Sequence, residues 1–274
     1  MNRQRLLAAL ARPAAARGVV PALAALRPQF DLHIFDALPS TNTHAWRLVE
    51  AGAGAGTVVI ARQQQAGRGQ WGRQWISAPG GLYLTLVLEP AMAEGDRGLL
   101  TLASAWGIAA ALGTFAVPVQ IKWPNDLVSQ GRKLGGLLAE TRSSSRPAAG
   151  LTQGSPAIVG VGLNWANPVP ETGITLATLL PTPAPAGLTC LEDVAAVVLR
   201  GILQGQYLWQ QQGAAALIAA YQQKWRHQGQ SITLNGDPGR IVGITQAGNL
   251  LVELEHPSAK ITRCLSPGEI SLGY

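Results

Sequence analysis

Hydrophobic and polar positions change period several times along the 274-residue chain. In "STNTHAWRLVEAG", Ala45, Trp46 and Val49 recur at helical spacing behind two good capping residues, which predicts a helix starting at Ser40 or Thr41. "TVVIAR" and "LYLTLVLE" are β-rich runs that place the glycine-rich stretch between them in an inter-strand loop. "PVQIKWPND" predicts a strand ending in a turn at Pro124 and Asn125. "KLGGLLAET" and "AIVGVGLNW" predict two more strands, separated by a Ser/Pro/Gly-rich loop from Ser143 to Pro156. A proline-rich connection follows Asn164, then a long helical stretch with an interruption around Gly213. From Gly229, short alternating runs with turns at "NGDPG" and "QAGN" predict a small antiparallel β module. This order of elements divides the chain into an arm (residues 1–30), a main domain (31–228) and a small terminal domain (229–274).

Gly98 to Val119 carries no charged side chain and is just long enough to span a bilayer. Its Ala, Gly, Ser and Thr content and the closing Pro118 instead predict a buried central helix, and no membrane partner is expected. The net charge of +6 suggests a nucleic-acid partner only until it is located. Arg3, Arg5, Arg12, Arg17 and Arg27 lie before Gln29 with no acid among them, which leaves the rest of the chain nearly neutral. The segment before Phe30 is too short for a helix-turn-helix domain, so no DNA partner is expected. Its Arg/Ala-rich composition is shared by transit peptides, while the break at Pro13 reads as a short helix followed by an irregular arm. Cys190 and Cys264 lack metal-ligand spacing, which fits a reducing, cytoplasmic setting with both residues serving as packing.

Candidate chemistry gathers in two stretches. In "QQQAGRGQWGRQW", Gly67, Gly69 and Gly72 allow close backbone approach to a ligand, and Arg68 and Arg73 suit a carboxylate or phosphate. Trp71 and Trp75 read equally well as core residues. In "KWPNDLVSQGRKLGGLLAE", Lys122, Asn125 and Asp126 share a strand end, which suits a metal-bound triphosphate, and Lys133 precedes the small pair Gly135 and Gly136. A surface Lys/Asp ion pair is the plain alternative.

These stretches together resemble the biotin protein ligases. The chain has "STN" at Ser40–Asn42, a "QxAGRG…GRxW" loop from Gln64 to Trp75, "KWPND" at Lys122–Asp126, "KLGGLLAE" at Lys133–Glu140, "GVGLN" at Gly160–Asn164 and a final "PGEISL". The resemblance implies an α+β fold: a mixed-sheet, class II synthetase-like catalytic domain with a small C-terminal SH3-like β-barrel. It implies ATP-dependent formation of biotinoyl-AMP and transfer of biotin to a lysine of the biotin carboxyl carrier protein of acetyl-CoA carboxylase, with Mg²⁺, and it is compatible with a homodimer. It assigns Ser40, Thr41, Asn42 and Gln64 to the ureido head of biotin, with Gly69 and Gln70 beside the ligand. Arg68 and Lys133 hold the carboxylate and adenylate phosphate. Lys122, Asn125 and Asp126 manage phosphates and metal, with Asp126 as metal ligand, and Trp75 and Asn164 receive adenine. Lys133, Arg68 and Lys122 are the implied catalytic residues. The chain departs from the family's repressor version, which carries an N-terminal DNA-binding domain, and is expected to be monofunctional. It also departs at Gln70, where the family commonly has arginine. Lipoate ligases and octanoyltransferases of the same fold are the alternative, and a basic non-catalytic binding module or DNA-binding regulator is the rival of another class.

Overall fold

A computed structural model describes residues 1–13, 19, 23, 28–142, 155–256 and 259–273. The irregular arm expected after Pro13 and most of the loop expected from Ser143 lie outside them. The described elements are α1 (Arg3–Ala11), β1 (Asp31–Leu38), α2 (Thr41–Glu50), β2 (Thr57–Gln64), β3 (Leu82–Leu88), α3 (Arg97–Gly113), β4 (Gln120–Lys122), β5 (Asp126–Ser129), β6 (Arg132–Thr141) and β7 (Ala157–Leu163). They continue with α4 (Leu176–Leu179), α5 (Leu191–Gln222), β8 (Ser231–Leu234), β9 (Asp237–Ile244), β10 (Leu250–His256) and β11 (Ala259–Leu265).

Strands β1 to β7 form one mixed sheet in the order β1-β2-β3-β7-β6-β5-β4, parallel only between β1 and β2. The period of two in its central strands explains why they are apolar throughout. Val58 and Ile60 of β2, Leu82, Leu84 and Leu86 of β3, and Val159 and Val161 of β7 enter the main core beneath α3 and α5. The intervening Val59, Ala61, Val87 and Ile158 meet Ala45 and Trp46 of α2 on the opposite face. Both faces are therefore covered, and a polar residue there needs a specific partner.

Helix α2 begins as expected, with the Ser40 hydroxyl accepting from the Thr43 N–H at 3.5 Å. The apolar stretch after Gly98 becomes the buried helix α3, and no helix among the described residues is long and apolar enough to cross a membrane. Gly213, at φ 82°, breaks α5 where the interruption was expected. Helices α3 and α5 touch backbone to backbone. A Cβ on Gly107 would stand 1.9 Å from the Gly201 carbonyl oxygen, and one on Gly205 would stand 1.8 Å from that of Ala103.

The small terminal sheet runs β11-β10-β9-β8, antiparallel throughout. Ile241, Leu250, Val252 and Leu265 join the same apolar core as the large sheet. The Trp123 indole N–H donates to the Gly248 carbonyl at 3.0 Å, fastening the small sheet beside the turn after β4. At the other end, Arg12 pairs with Asp193 at 2.5 Å and docks α1 onto the start of α5. Cys190 and Cys264 are free thiols, but Cys264 is exposed and so is not the packing residue expected.

Candidate active site

The loop between β2 and β3 is not a slack glycine tether. The Trp75 N–H donates to the Gly67 carbonyl at 2.9 Å and the Gly69 N–H to the Arg73 carbonyl at 2.7 Å, making a small hairpin. These two amides are used in closing the hairpin, so they are not among the N–H groups available to an anion. Gly67 has no room for a side chain: a Cβ would stand 2.3 Å from the Trp75 carbonyl oxygen. The tip turns through Trp71 and Gly72, both left-handed at φ 59° and 72°. Trp71 is 61 % exposed, so the core role considered for it fails, and its ring lies against Gly268 of the C-terminal segment.

The hairpin roofs a cleft of about 330 Å³. Ser40, Thr41, Asn42, Gln64, Arg68, Gly69, Gln70, Trp75, Lys122, Asn125, Asp126 and Lys133 all line it. Asn164 does not: its side-chain amide donates to the Lys133 carbonyl at 3.2 Å and its oxygen accepts from Asn167 at 3.1 Å, so it fastens β6 from behind. Arg73, the second anion-binding candidate of the loop, lines the cleft too, and Trp123 and residues 268–272 of the C-terminal segment line it without having been singled out for it by the sequence.

The floor consists of glycines. Gly160 and Gly162 of β7 alternate with the core-facing Val159 and Val161, which turns their absent side chains toward the site. A Cβ on Gly162 would stand 2.4 Å from the Trp75 indole nitrogen, and one on Gly160 would stand 2.0 Å from the Asn42 side-chain oxygen. Trp75 thus packs on the strands themselves. Its buried indole N–H has no hydrogen-bond partner among the described residues, and the Lys133 ammonium lies 5.2 Å from a ring centroid of the indole.

One end of the cleft is polar and mostly neutral. Gln64 Oε1 accepts from the Thr41 N–H at 2.8 Å and lies 3.2 Å from its hydroxyl, while Gln64 Nε2 donates to Ser77 Oγ at 2.8 Å. Thr85, buried in β3, lies 2.9 Å from the Thr41 hydroxyl and 2.7 Å from Asn42 Oδ1. Asn42 Nδ2 donates to Glu140 at 2.8 Å, and Glu140 pairs with Arg68 at 2.8 Å. Sequence reasoning missed Thr85 and assigned Glu140 no role. A hydroxyl inside the apolar run "LYLTLVLE" was the signal available for Thr85.

The other end is charged. Asp126 Oδ1 lies 2.8 Å from the Lys133 ammonium. Lys122 sits half-buried beside them, with its pKa lowered from 10.5 to about 8. Burial is the main cause; Lys133, Arg73 and Arg226 push the same way, and Asp126 opposes them. The turn between β4 and β5 is held from two sides, by Asn125 Nδ2 donating to the Leu137 carbonyl at 2.7 Å and the Tyr221 hydroxyl donating to the Pro124 carbonyl at 3.1 Å.

Residues 34–154 match the family model described as the Biotin/lipoate A/B protein ligase family. The bifunctional ligase/repressor BirA of Bacillus subtilis is 30% identical over 243 residues, covering 82% of this chain and 70% of that protein. The chain belongs to this family. The biotin--[acetyl-CoA-carboxylase] ligase of Paracoccus denitrificans is 36% identical over 137 residues, 49% of this chain and 54% of that protein. Across such relatives the matched stretch spans from 38% to 70% of their own length. Among solved structures, the biotin protein ligase of Aquifex aeolicus in complex with biotin and ATP superposes with a TM-score of 0.64 at 26% identity, covering 85% of this chain and 99% of that one. The family's mixed-sheet fold is the one described above, and the small antiparallel sheet is consistent with its SH3-like domain.

Proposed function

We propose that this chain is an ATP-dependent biotin ligase that makes biotinoyl-AMP and passes the biotinoyl group to a lysine of a carrier protein. One observation carries the reading: a neutral polar network and a lysine-rich anion site occupy opposite ends of a single glycine-floored cleft. At the neutral end, Thr41, Thr85, Asn42 and Gln64 join hydroxyl and amide groups in one network whose oxygens keep lone pairs for further donors. A ureido ring, with N–H donors and a carbonyl acceptor, completes such a network. The dithiolane of lipoate and the chain of octanoate bring no N–H, which favours biotin over the family's other substrates.

In the first step, a biotin carboxylate oxygen bonds to the α-phosphorus of ATP as the bond to the β-phosphate oxygen breaks and pyrophosphate leaves. Negative charge grows on the α-phosphate oxygens, where Lys133 and Arg68 are the cations to receive it. Lys122 would meet the leaving phosphates. The donors near Asp126 comprise one carboxylate and the Asn125 carbonyl, and no cluster of three or more His, Cys, Asp or Glu exists among the described residues to cage a metal. That set suits Mg²⁺ carried in on the triphosphate with most of its water retained. In the second step, the carrier's lysine nitrogen bonds to the acyl carbon, the bond to the phosphate oxygen breaks, AMP departs and the amine loses a proton. Trp75, which lines the cleft, is the aromatic surface on offer to a base. The free cysteines support a cytoplasmic setting, and the acetyl-CoA-carboxylase ligase named among the relatives supports a carboxylase carrier.

Biotin-dependent exchange of pyrophosphate into ATP tests the first step, and labelling of a carboxylase carrier domain tests the second. Exchange driven by lipoate or octanoate but not by biotin would refute the assignment.

A further inference from the structure

The bridge to Gln74 fixes the face of the hairpin from which Arg68 projects, but not where its long side chain ends. Its direction comes from Glu140, far away in sequence on β6. One carboxylate oxygen lies 2.8 Å from Arg68 Nη2, and the other lies 3.4 Å from Nη1. That second oxygen also accepts from Asn42 Nδ2 at 2.8 Å. From Asn42 the contacts continue through Thr85 and Thr41 to Gln64, whose amide donates to Ser77, whose hydroxyl donates to the Trp75 carbonyl at 3.0 Å. Trp75 and Arg68 stand on the two arms of the same hairpin. The contacts therefore close a ring, and Glu140 is its only anion.

We infer that Glu140 is a positioning residue that sets Arg68 and Asn42 together, so that the head-group end of the cleft and its anion-binding arginine are aligned by one carboxylate. The inference rests on the ligase reading above. A carboxylate suits the place because both neighbours are donors, and its two oxygens offer acceptor sites enough for both. The fork uses one edge of the guanidinium. Arg68 remains 47 % exposed, which leaves donors for an incoming carboxylate or phosphate. A glutamine at 140 keeps the shape but has a single acceptor oxygen, and its NH₂ group must face Arg68 or Asn42.

Pyrophosphate exchange measured against biotin concentration in wild type, Glu140→Gln, Arg68→Ala and the double variant tests this, with thermal melts of each. Disturbing a hydrogen bond to a charged group should raise KM for biotin and lower kcat, by roughly tenfold together. With Arg68 gone, the kcat part of the Glu140→Gln effect should shrink to within about twofold, while the KM part carried by Asn42 persists. A carboxylate that only supported the fold would lower kcat equally in both backgrounds. Strictly additive effects, or exchange by Glu140→Gln within twofold of wild type, would overturn the inference. If Glu140→Gln folds poorly, Glu140→Asp, too short to span both partners, takes its place in the same double-variant comparison: a kcat loss that shrinks without Arg68 supports the inference, and a strictly additive loss overturns it. A wild type showing no biotin-dependent exchange would overturn the ligase reading itself and this inference with it.

Discussion

Lys122→Met should make the unliganded protein more stable and a poorer ATP binder. Lys122 has a folded-state pKa of about 8 against an ordinary 10.5, chiefly because it is buried, so its charged form is disfavoured by the fold. A pKa held that far down corresponds to about 3 kcal/mol. Partial solvent access reduces this to about 1–2 kcal/mol. Methionine keeps the stem packing and removes the charge, while Asp126 retains Lys133 as its partner at 2.8 Å. At about 2–4 °C per kcal/mol for a domain of this class, the apo variant should melt roughly 2–8 °C higher at pH 7. The pH dependence follows from the direction of the shift. Between about 8 and 10.5 the unfolded chain holds a proton that the folded Lys122 has lost, so wild-type stability from this group rises with pH across that window. Below it, the penalty is present in full. The advantage of Lys122→Met should therefore be constant below pH 8 and vanish by 10.5. In exchange assays its KM for ATP should rise roughly tenfold or more, as for a lost hydrogen bond to a charged group. A lower or unchanged melt at pH 7, or a difference that does not shrink with pH, would refute the reasoning.

Lys133→Ala should lower exchange kcat by about 10²–10³, the usual loss for one donor to a developing oxyanion, with the melt nearly unchanged; exchange within twofold of wild type would sink it. Gln70 lines the cleft at the hairpin tip, where arginine would add a permanent cation, so Gln70→Arg should slow release of preformed biotinoyl-AMP by roughly tenfold. Equal release half-lives, followed with a chemical trap, would show that the phosphate does not sense this position. His227 is buried beside Arg226 and Lys122 and its pKa is lowered to about 4, so the folded protein keeps it neutral while the unfolded chain takes up a proton. Wild-type stability should fall as pH drops from 6.5 toward 4, and melts of His227→Gln should lose that part of the slope.

Local chemistry was readable where it decided local structure. Ser40 announced the start of α2, the apolar run "LYLTLVLE" announced β3, and Gly213 announced the break in α5. Strand β1 is hard to read because "DLHIFDAL", at the sheet edge, alternates only from Asp31 to Ile34 before Phe35 and Asp36 reverse the pattern. The candidate residues were legible as two clusters, but their wiring was not. That Asp126 faces Lys133 follows from the pairing of β5 with β6, including its register shift near Leu127 and Val128. Asn164 shows the opposite error. It lies in a motif whose resemblance pointed into the cleft, while its side chain faces away to carry the backbone of β6. Gly107, Gly201 and Gly205 each look like a helix defect until the fold brings them together.

That contact between α3 and α5 also sets a clock. With no side chains between the two backbones at Gly107 and Gly201, neither helix can tilt or slide by a fraction of an ångström without collision. Amides in the middle of α3 should then trade their hydrogens for deuterium only when the whole molecule opens, and be the last to do so. The hairpin over the cleft, closed by a few amides and tipped by an exposed tryptophan, should exchange at the fast end of the same record. A substrate would be met by a rapidly sampling roof above a floor anchored to the slowest part of the protein, and time-resolved deuterium uptake would read both rates in one experiment.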